Sequence, residues 1–128
     1  MNARKGFTLV EILIVVVILG ILAAIVIPQF TNASTEAMEN SLKSDLHTMR
    51  AQLELWKVKH GDVPADTLSV LVPSYMREIP TNPFNDLDTE TTGLDGTTGW
   101  AYDGDANVPD VFANDGGTDA DGNLHSSY

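Results

Sequence analysis

The chain has 128 residues, enough for one small domain beside a separate N-terminal segment. Its 18 acidic and 7 basic residues give a formal net charge of −11, and such an acidic balance disfavours direct binding to nucleic acid. The sequence contains no cysteine, which excludes disulfide bonds and thiolate metal ligands.

An apolar segment dominates the N-terminal part of the chain. Residues 12–27 are almost wholly aliphatic, and they follow the basic pair Arg4-Lys5 and a single carboxylate, Glu11. Together with residues 7–9, this run approaches the roughly 20 residues that a helix needs to cross a bilayer. A conventional cleaved signal has a shorter apolar region, of about 7–15 residues. The pattern therefore predicts a retained, single-pass membrane anchor whose basic end is cytoplasmic.

The helix is predicted to continue beyond this anchor and to run from about residue 7 to residue 60. Gly61 is expected to end it, and Pro64 prevents its resumption. Gly20 and Pro28 lie inside the helix and are predicted points of weakness, because glycine lowers helix stability and proline removes a hydrogen bond. The second half is amphipathic, since its apolar residues fall on one helical stripe. The stripe comprises Met38, Leu42, Leu46, Met49, Leu53 and Trp56.

Residues 66–84 are expected to be irregular. A short helix or turn is predicted within residues 66–78, with three inward-packing side chains, and a proline-containing loop follows over residues 79–84. The three side chains are Leu68, Leu71 and Tyr75.

Two short strands are predicted in the last third of the chain. Residues 99–103 and 111–114 both alternate briefly and contain aromatic residues, which is typical of a small antiparallel sheet. The tail from Asp115 has too little apolar content to be more than an ordered loop or a flexible end. The predicted fold class is therefore α+β, with a long N-terminal helix packed on a small antiparallel sheet.

Acidic residues crowd the loops of this last third. Calcium takes six to eight hard oxygen ligands, and closely spaced Asp and Asn residues in glycine-rich loops can supply several. Neither acidic group fits the EF-hand pattern, and solvated loops are the alternative explanation. A bound ion would help to stabilise so small a head, which has no disulfides. The candidate calcium ligands are Asp103, Asp105, Asp110, Asp115, Asp119 and Asp121.

Nothing in the sequence favours catalysis. The three histidines, His47, His60 and His125, are far apart along the chain, and no HExxH, GxSxG or phosphate-loop motif occurs. A small head also leaves little room for a substrate cleft between paired carboxylates. We therefore expect a chain that is not an enzyme.

The segment RKGFTLVEILIVVVILGILAAIVIP, residues 4–28, resembles the class III signal of type IV pilins and type II secretion pseudopilins. This resemblance implies that a prepilin peptidase cuts between Gly6 and Phe7 and that Phe7 is then N-methylated. Glu11 is then expected either to lie near the headgroup region, close to the new N-terminus, or to pair with the new amine, its own or that of a neighbouring subunit; the resemblance favours the amine of a neighbouring subunit. In this family the stretch around Gly20 and Pro28 unwinds when subunits pack into a filament; a bend near the membrane surface is the other explanation.

A second resemblance lies in the head. YMREIPTNPFNDLD, residues 75–88, followed by GWAYD, is similar to the major pseudopilins of type II secretion. The ending, DVFANDGGTDADGNLHSSY, departs from the strand and calcium loop that are usual in that family. Calcium ligands are therefore not transferred residue by residue.

The two resemblances together imply a structural subunit of a pilus-like fibre. Its expected segments are a cleaved leader (1–6), a transmembrane and filament-core helix (7–28), an amphipathic half (29–61) and a periplasmic or extracellular head (62–128). The subunit would sit in the inner membrane with its head in the periplasm and polymerise into a helical filament. Prepilin peptidase, the assembly platform and minor pilins are the expected partners.

Export of folded proteins by a type II secretion system is the first expectation for function. A type IV pilin for adhesion, motility or DNA uptake is the alternative within the family. A non-polymerising, membrane-anchored calcium-binding surface protein is the alternative from another class.

Overall fold

A computed structural model describes residues 6–104 and 110–128. Its helix α1 runs from Leu9 to Lys59, and three strands follow: β1 (Glu90–Thr91), β2 (Trp100–Asp103) and β3 (Asp110–Ala113). The chain divides into two compact units, one ending at Thr35 and the other comprising Glu36–Tyr128. The first unit contains the apolar part of α1, and the second contains its amphipathic part and the head.

The bounds of α1 confirm the helix predicted from about residue 7 to residue 60. Its end is a glycine cap: Gly61 has a φ of 72°, which an L side chain rarely adopts. The backbone N–H of Asp62 then reaches back to the carbonyl of Lys57 at 2.9 Å, in the pattern of a Schellman motif. This turn directs the chain out of the helix and into the head.

The core of the second unit forms along the predicted apolar stripe. The four central members, at spacings of three and four residues, are at most 1% exposed. The two outer members, Met38 and Trp56, are half-buried. Because burial of each aliphatic side chain contributes roughly 1.5–3 kcal/mol, this stripe is the main attachment of the head to α1. The core residues are Leu42, Leu46, Met49 and Leu53 from α1, with Leu68, Leu71, Trp100 and Val111 from the head.

The sheet has three strands in the order β1-β2-β3. Strands β2 and β3 are antiparallel, with Trp100 opposite Ala113, as the sequence predicts. The α+β fold class is confirmed. Strand β1 was not predicted and runs parallel to β2, with Glu90 opposite Trp100, so the sheet is mixed rather than antiparallel throughout. A two-residue strand is too short to show alternation in the sequence. It pairs with β2 through the carbonyl of Thr89, which accepts from the Trp100 N–H at 3.0 Å.

The segments outside the sheet also contribute to the core. Leu68–Leu71 forms the predicted short turn, as a single 3₁₀ turn with both leucines buried. The tail after β3 is ordered, since His125 lies in a second 3₁₀ turn and is 2% exposed. Of the two alternatives for the tail, the structure has the ordered loop.

Arg50 ties α1 to both β3 and the tail. Its Nε donates to Oδ1 of Asp110 at 2.6 Å, and its Nη2 donates to the carbonyls of Val111 (2.8 Å) and Tyr128 (2.7 Å). The planar guanidinium suits this arrangement because it presents several donors in fixed directions. One side chain from the helix therefore holds two segments that are distant in sequence.

Candidate assembly site at the start of the helix

Thr8 and Glu11 form a capping box at the N-terminus of α1. The Thr8 N–H and hydroxyl both donate to Oε2 of Glu11, each at 2.8 Å. The Glu11 N–H donates in return to the Thr8 hydroxyl at 3.2 Å. These bonds satisfy backbone N–H groups that have no partner inside the helix. They also hold the Glu11 carboxylate at the very start of α1, next to the residues that precede it.

The bond between Gly6 and Phe7 lies in exposed, non-helical backbone just before α1. Phe7 itself is 82% exposed. A peptide bond in this position can enter a protease site as an extended chain without unwinding a helix. An amine created at Phe7 would lie within one helical turn of Glu11 along the sequence.

Apolar side chains of the first unit are not covered by the chain itself. From Phe7 to Phe30 every large hydrophobic side chain is more than 40% exposed. Within the described residues, α1 is the one helix that is long and apolar enough to cross a membrane. Monomeric soluble proteins rarely expose so much contiguous apolar surface, so this half of α1 requires lipid or other protein around it.

Gly20 and Pro28 do not end the helix, which is continuous through both. A Cβ at Gly20 would meet no atom within 4 Å, so close packing within the chain does not require glycine there. Pro28 has no N–H to donate to the carbonyl of Ala24. The Thr31 hydroxyl donates to the carbonyl of Ile27, and the Thr35 hydroxyl donates to the carbonyl of Thr31. That Gly20 and Pro28 are points of weakness in the helix stays a prediction.

The predicted calcium ligands are engaged by other protein groups or are exposed. Asp110 binds Arg50, and Asp103 is exposed at the end of β2. Asp105 lies outside the described residues. Across residues 6–104 and 110–128, no three carboxylate or imidazole side chains form a group that could hold a metal. Calcium binding therefore stays a prediction.

Asp119 organises the loop that contains Asp121. Its carboxylate accepts from the N–H groups of Asp121 (2.9 Å) and Asn123 (2.8 Å), and from the Tyr128 hydroxyl (2.8 Å). The pKa of Asp119 is held well below its usual range, and the largest cause is the hydrogen bond from the Asn123 side chain. In the opposite direction, burial raises the pKa of Tyr128.

Comparison with known proteins decides the family. A family model described as the prokaryotic N-terminal methylation motif matches residues 1–27. Type II secretion system core protein G of Pseudomonas aeruginosa is 30% identical over 133 aligned positions, which cover 82% of this chain and 93% of that protein. The chain belongs to the core protein G family. Core protein G of Klebsiella pneumoniae is 32% identical over 100 positions, covering 66% of this chain and 71% of its own.

Similarity to a type IV fimbrial protein is confined to a shorter part. FimA of Dichelobacter nodosus is 47% identical over 53 positions, which cover 41% of this chain and 34% of that protein. No solved structure gave a significant match. The core protein G proteins thus match the head as well as the helix, whereas the fimbrial match is too short to include both in full.

Two buried polar residues of this core protein G family member were not predicted from the sequence. Asn82 and His125 are 0% and 2% exposed, and both contact Asp115. Asn82 lies in a proline-containing loop and His125 in a polar tail; asparagine is mostly exposed in proteins and histidine is intermediate. Their hydrophilic surroundings in the sequence therefore give no signal of burial.

Removing the Thr8 hydroxyl is expected to loosen the first turn of α1. Thr8→Val should cost about 1 kcal/mol of local helix stability, because one donor and one acceptor of the capping box disappear. Amide hydrogen exchange of the full chain in detergent micelles should be faster at Glu11 and Ile12, whose N–H groups donate to Thr8, and unchanged from residue 42 onwards. Thr8→Ser keeps the hydroxyl and is the matched control. Equal protection in the valine and serine variants would contradict this role of Thr8.

Proposed function

We propose that this chain is the major, fibre-forming subunit of a type II secretion system and that it helps to export folded proteins. The observation that carries this proposal is the similarity to core protein G along nearly the whole of that protein. In this proposal a prepilin peptidase removes residues 1–6 by cutting before Phe7, and Phe7 is then N-methylated. The accessible Gly6–Phe7 bond supports such processing.

Before assembly, we propose, the chain spans the inner membrane once. The basic pair Arg4-Lys5 faces the cytoplasm and the head, residues 62–128, lies in the periplasm. Support comes from the length and apolar character of the first half of α1. The exposed side chains of this half then contact lipid in the membrane and neighbouring copies of α1 in the fibre.

Glu11 directs the addition of each subunit in this proposal. Inside an apolar helix bundle a lone carboxylate is unfavourable, and an opposite charge offsets part of that cost. The Phe7 amine of a neighbouring copy is such a charge. One oxygen of the Glu11 carboxylate, Oε2, accepts both bonds from Thr8, so among the residues that the structure describes Oε1 remains for the amine. Each subunit would then be fixed at one axial position relative to the next.

The role is structural rather than catalytic. The assembly platform of the inner membrane and the minor pilins are the partners that such a subunit needs in order to leave the membrane. The type IV fimbrial alternative is not favoured, because the match to FimA covers less than half of the chain.

Fibre formation is the test of this proposal. The full chain, produced in cells that contain prepilin peptidase and a type II assembly machinery, should yield fibres that shear from the cell surface and sediment. Mass spectrometry of the fibre subunit should show a chain that begins at Phe7 and carries one added methyl group. Processed chain that stays entirely in the membrane fraction would contradict the proposal.

Calcium binding by the acidic loops is proposed as a stabilising feature of the head. Calcium that binds only the folded head should raise its unfolding midpoint, with about 2.7 kcal/mol of added stability at a concentration a hundred times the Kd. The measurement is thermal unfolding of the full chain in detergent micelles, with calcium, with magnesium as a control, and with chelator. An unchanged unfolding midpoint across the three conditions would show that calcium does not stabilise the head.

A further inference from the structure

An uncovered apolar corner lies at the C-terminal end of α1. Val58 is 76% exposed, and Leu55, one turn earlier on the same face, is 40% exposed. Lys59 follows Val58 directly and forms no ion pair with any carboxylate that the structure describes. Its Nζ lies 5.0 Å from the ring centre of Tyr75. We call Leu55, Val58 and Lys59 the helix-end patch.

A groove of complementary character lies elsewhere on the same compact unit. Its walls are Leu94 and Leu124, which are 60% and 53% exposed, and its floor includes Ala113. The cavity between them has a volume of about 340 Å³, which is enough for an aliphatic side chain. We call it the leucine groove. Asp95 lies on its rim.

Asp95 is held in place as an anion. Its Oδ1 accepts from the N–H and hydroxyl of Thr97, at 3.0 and 2.8 Å, and from Nδ2 of Asn114 at 3.0 Å. These bonds hold the pKa of Asp95 below its usual range, and the bond from the Thr97 backbone N–H has the largest effect. The groove lies in a part of the chain, residues 78–128, that contains no lysine or arginine. A basic partner is therefore favoured beside this rim and an acidic one is not.

We propose that the helix-end patch of one copy docks in the leucine groove of the next, with Val58 between Leu94 and Leu124 and Lys59 beside Asp95. This inference rests on the proposed function, because an open helical polymer requires two different surfaces that fit each other. A self-complementary patch would close into a dimer and stop growth. The helix-end patch and the leucine groove are distinct, apolar at their centres and opposite in charge at their rims.

The contact would orient the heads rather than drive assembly. Two exposed aliphatic side chains bury little area, and a single rim ion pair contributes little to affinity. Rim charges nevertheless select the partner surface and fix its orientation. The heads of successive copies would thus be held at a defined angle while α1 provides most of the binding.

Cysteine cross-linking tests this contact without interference, because the chain has no cysteine of its own. Fibres of the full-length Val58→Cys, Leu124→Cys double variant should, on oxidation, give a ladder of covalent multimers on a non-reducing gel. Each single variant should stay monomeric, since position 58 would meet position 124 and not itself. Ser44→Cys with Leu124→Cys is the matched control, because Ser44 is also exposed on α1. It should give no ladder.

Charge reversal provides a second readout. Lys59→Asp and Asp95→Lys should each lower the cross-linking between positions 58 and 124 several-fold at unchanged fibre yield, and the two together should restore it. Intact fibres in which positions 58 and 124 cross-link no more than the Ser44 control would overturn the contact while leaving fibre formation standing. A cross-linked band that is not a multiple of the subunit mass would mean another occupant and would also overturn it. If the wild-type chain makes no fibre, the proposed function fails and this inference fails with it.

Discussion

Glu11→Ala is expected to abolish fibre formation while the chain is still inserted and cut before Phe7. The cut site precedes α1, and the apolar run that anchors the helix does not depend on Glu11. Assembly does depend on it if the carboxylate receives the amine of a neighbouring copy. Truncating one partner of a buried charge pair leaves the other unpaired, and such a loss weakens association by about a hundredfold or more. The measurement is the ratio of sheared to membrane-bound processed subunit.

Glu11→Gln is the matched variant for this prediction. Glutamine keeps the shape of the side chain and an oxygen that can accept from Thr8, so the capping box is retained in large part. It removes only the negative charge. If charge pairing is the role of Glu11, the glutamine variant should be nearly as defective as the alanine variant. Wild-type fibre yield from Glu11→Gln would show that capping, and not charge, is what assembly requires.

The features that the sequence predicted correctly are those with local or periodic signals. Helix α1 has a stripe with regular spacing and a glycine cap at Gly61, so its course from Leu9 to Lys59 follows from the sequence. Strands β2 and β3 contain buried aromatic or branched residues in short alternation. The motif around Glu11 is contiguous, and the family comparison bears out the methylation motif on residues 1–27.

Features that depend on contacts between distant residues were not predictable in this way. Strand β1 has only two residues, and its parallel pairing is decided by β2 ten positions later. Among the acidic residues, Asp110 is neutralised by Arg50, which is 60 positions away. Asp115 accepts from Asn82 and His125, and neither contact has a local signal. The candidate calcium ligands look alike in the sequence, whereas the described ones have separate structural partners or are exposed.

Asn82→Ala is expected to be the most damaging single change in the polar part of the head. The Asn82 side chain is fully buried, and its Nδ2 donates to the carbonyl of Gly99 (2.9 Å) and to Asp115 Oδ2 (3.1 Å). Its Oδ1 accepts from the N–H of Phe84 at 2.9 Å. Alanine leaves three polar groups without these bonds. Each buried unsatisfied group costs about 1–3 kcal/mol, so we expect a loss of about 3 kcal/mol in the free energy of unfolding.

Such a loss should lower the thermal midpoint of the head by roughly 15 °C. The readout is the near-ultraviolet circular dichroism of the full chain in detergent micelles, because the buried Trp100 indole, which donates to the Pro80 carbonyl at 2.7 Å, reports on this region. Asn82→Asp should be at least as damaging, since it places a second carboxylate against Asp115. Asn40→Ala changes the same residue type at an exposed position of α1 and should leave the midpoint unchanged. A shift at Asn82 no larger than at Asn40 would mean that water replaces the lost bonds. Asn82 links the loop before β1, the entry to β2 and the segment after β3, so its loss acts on three segments at once.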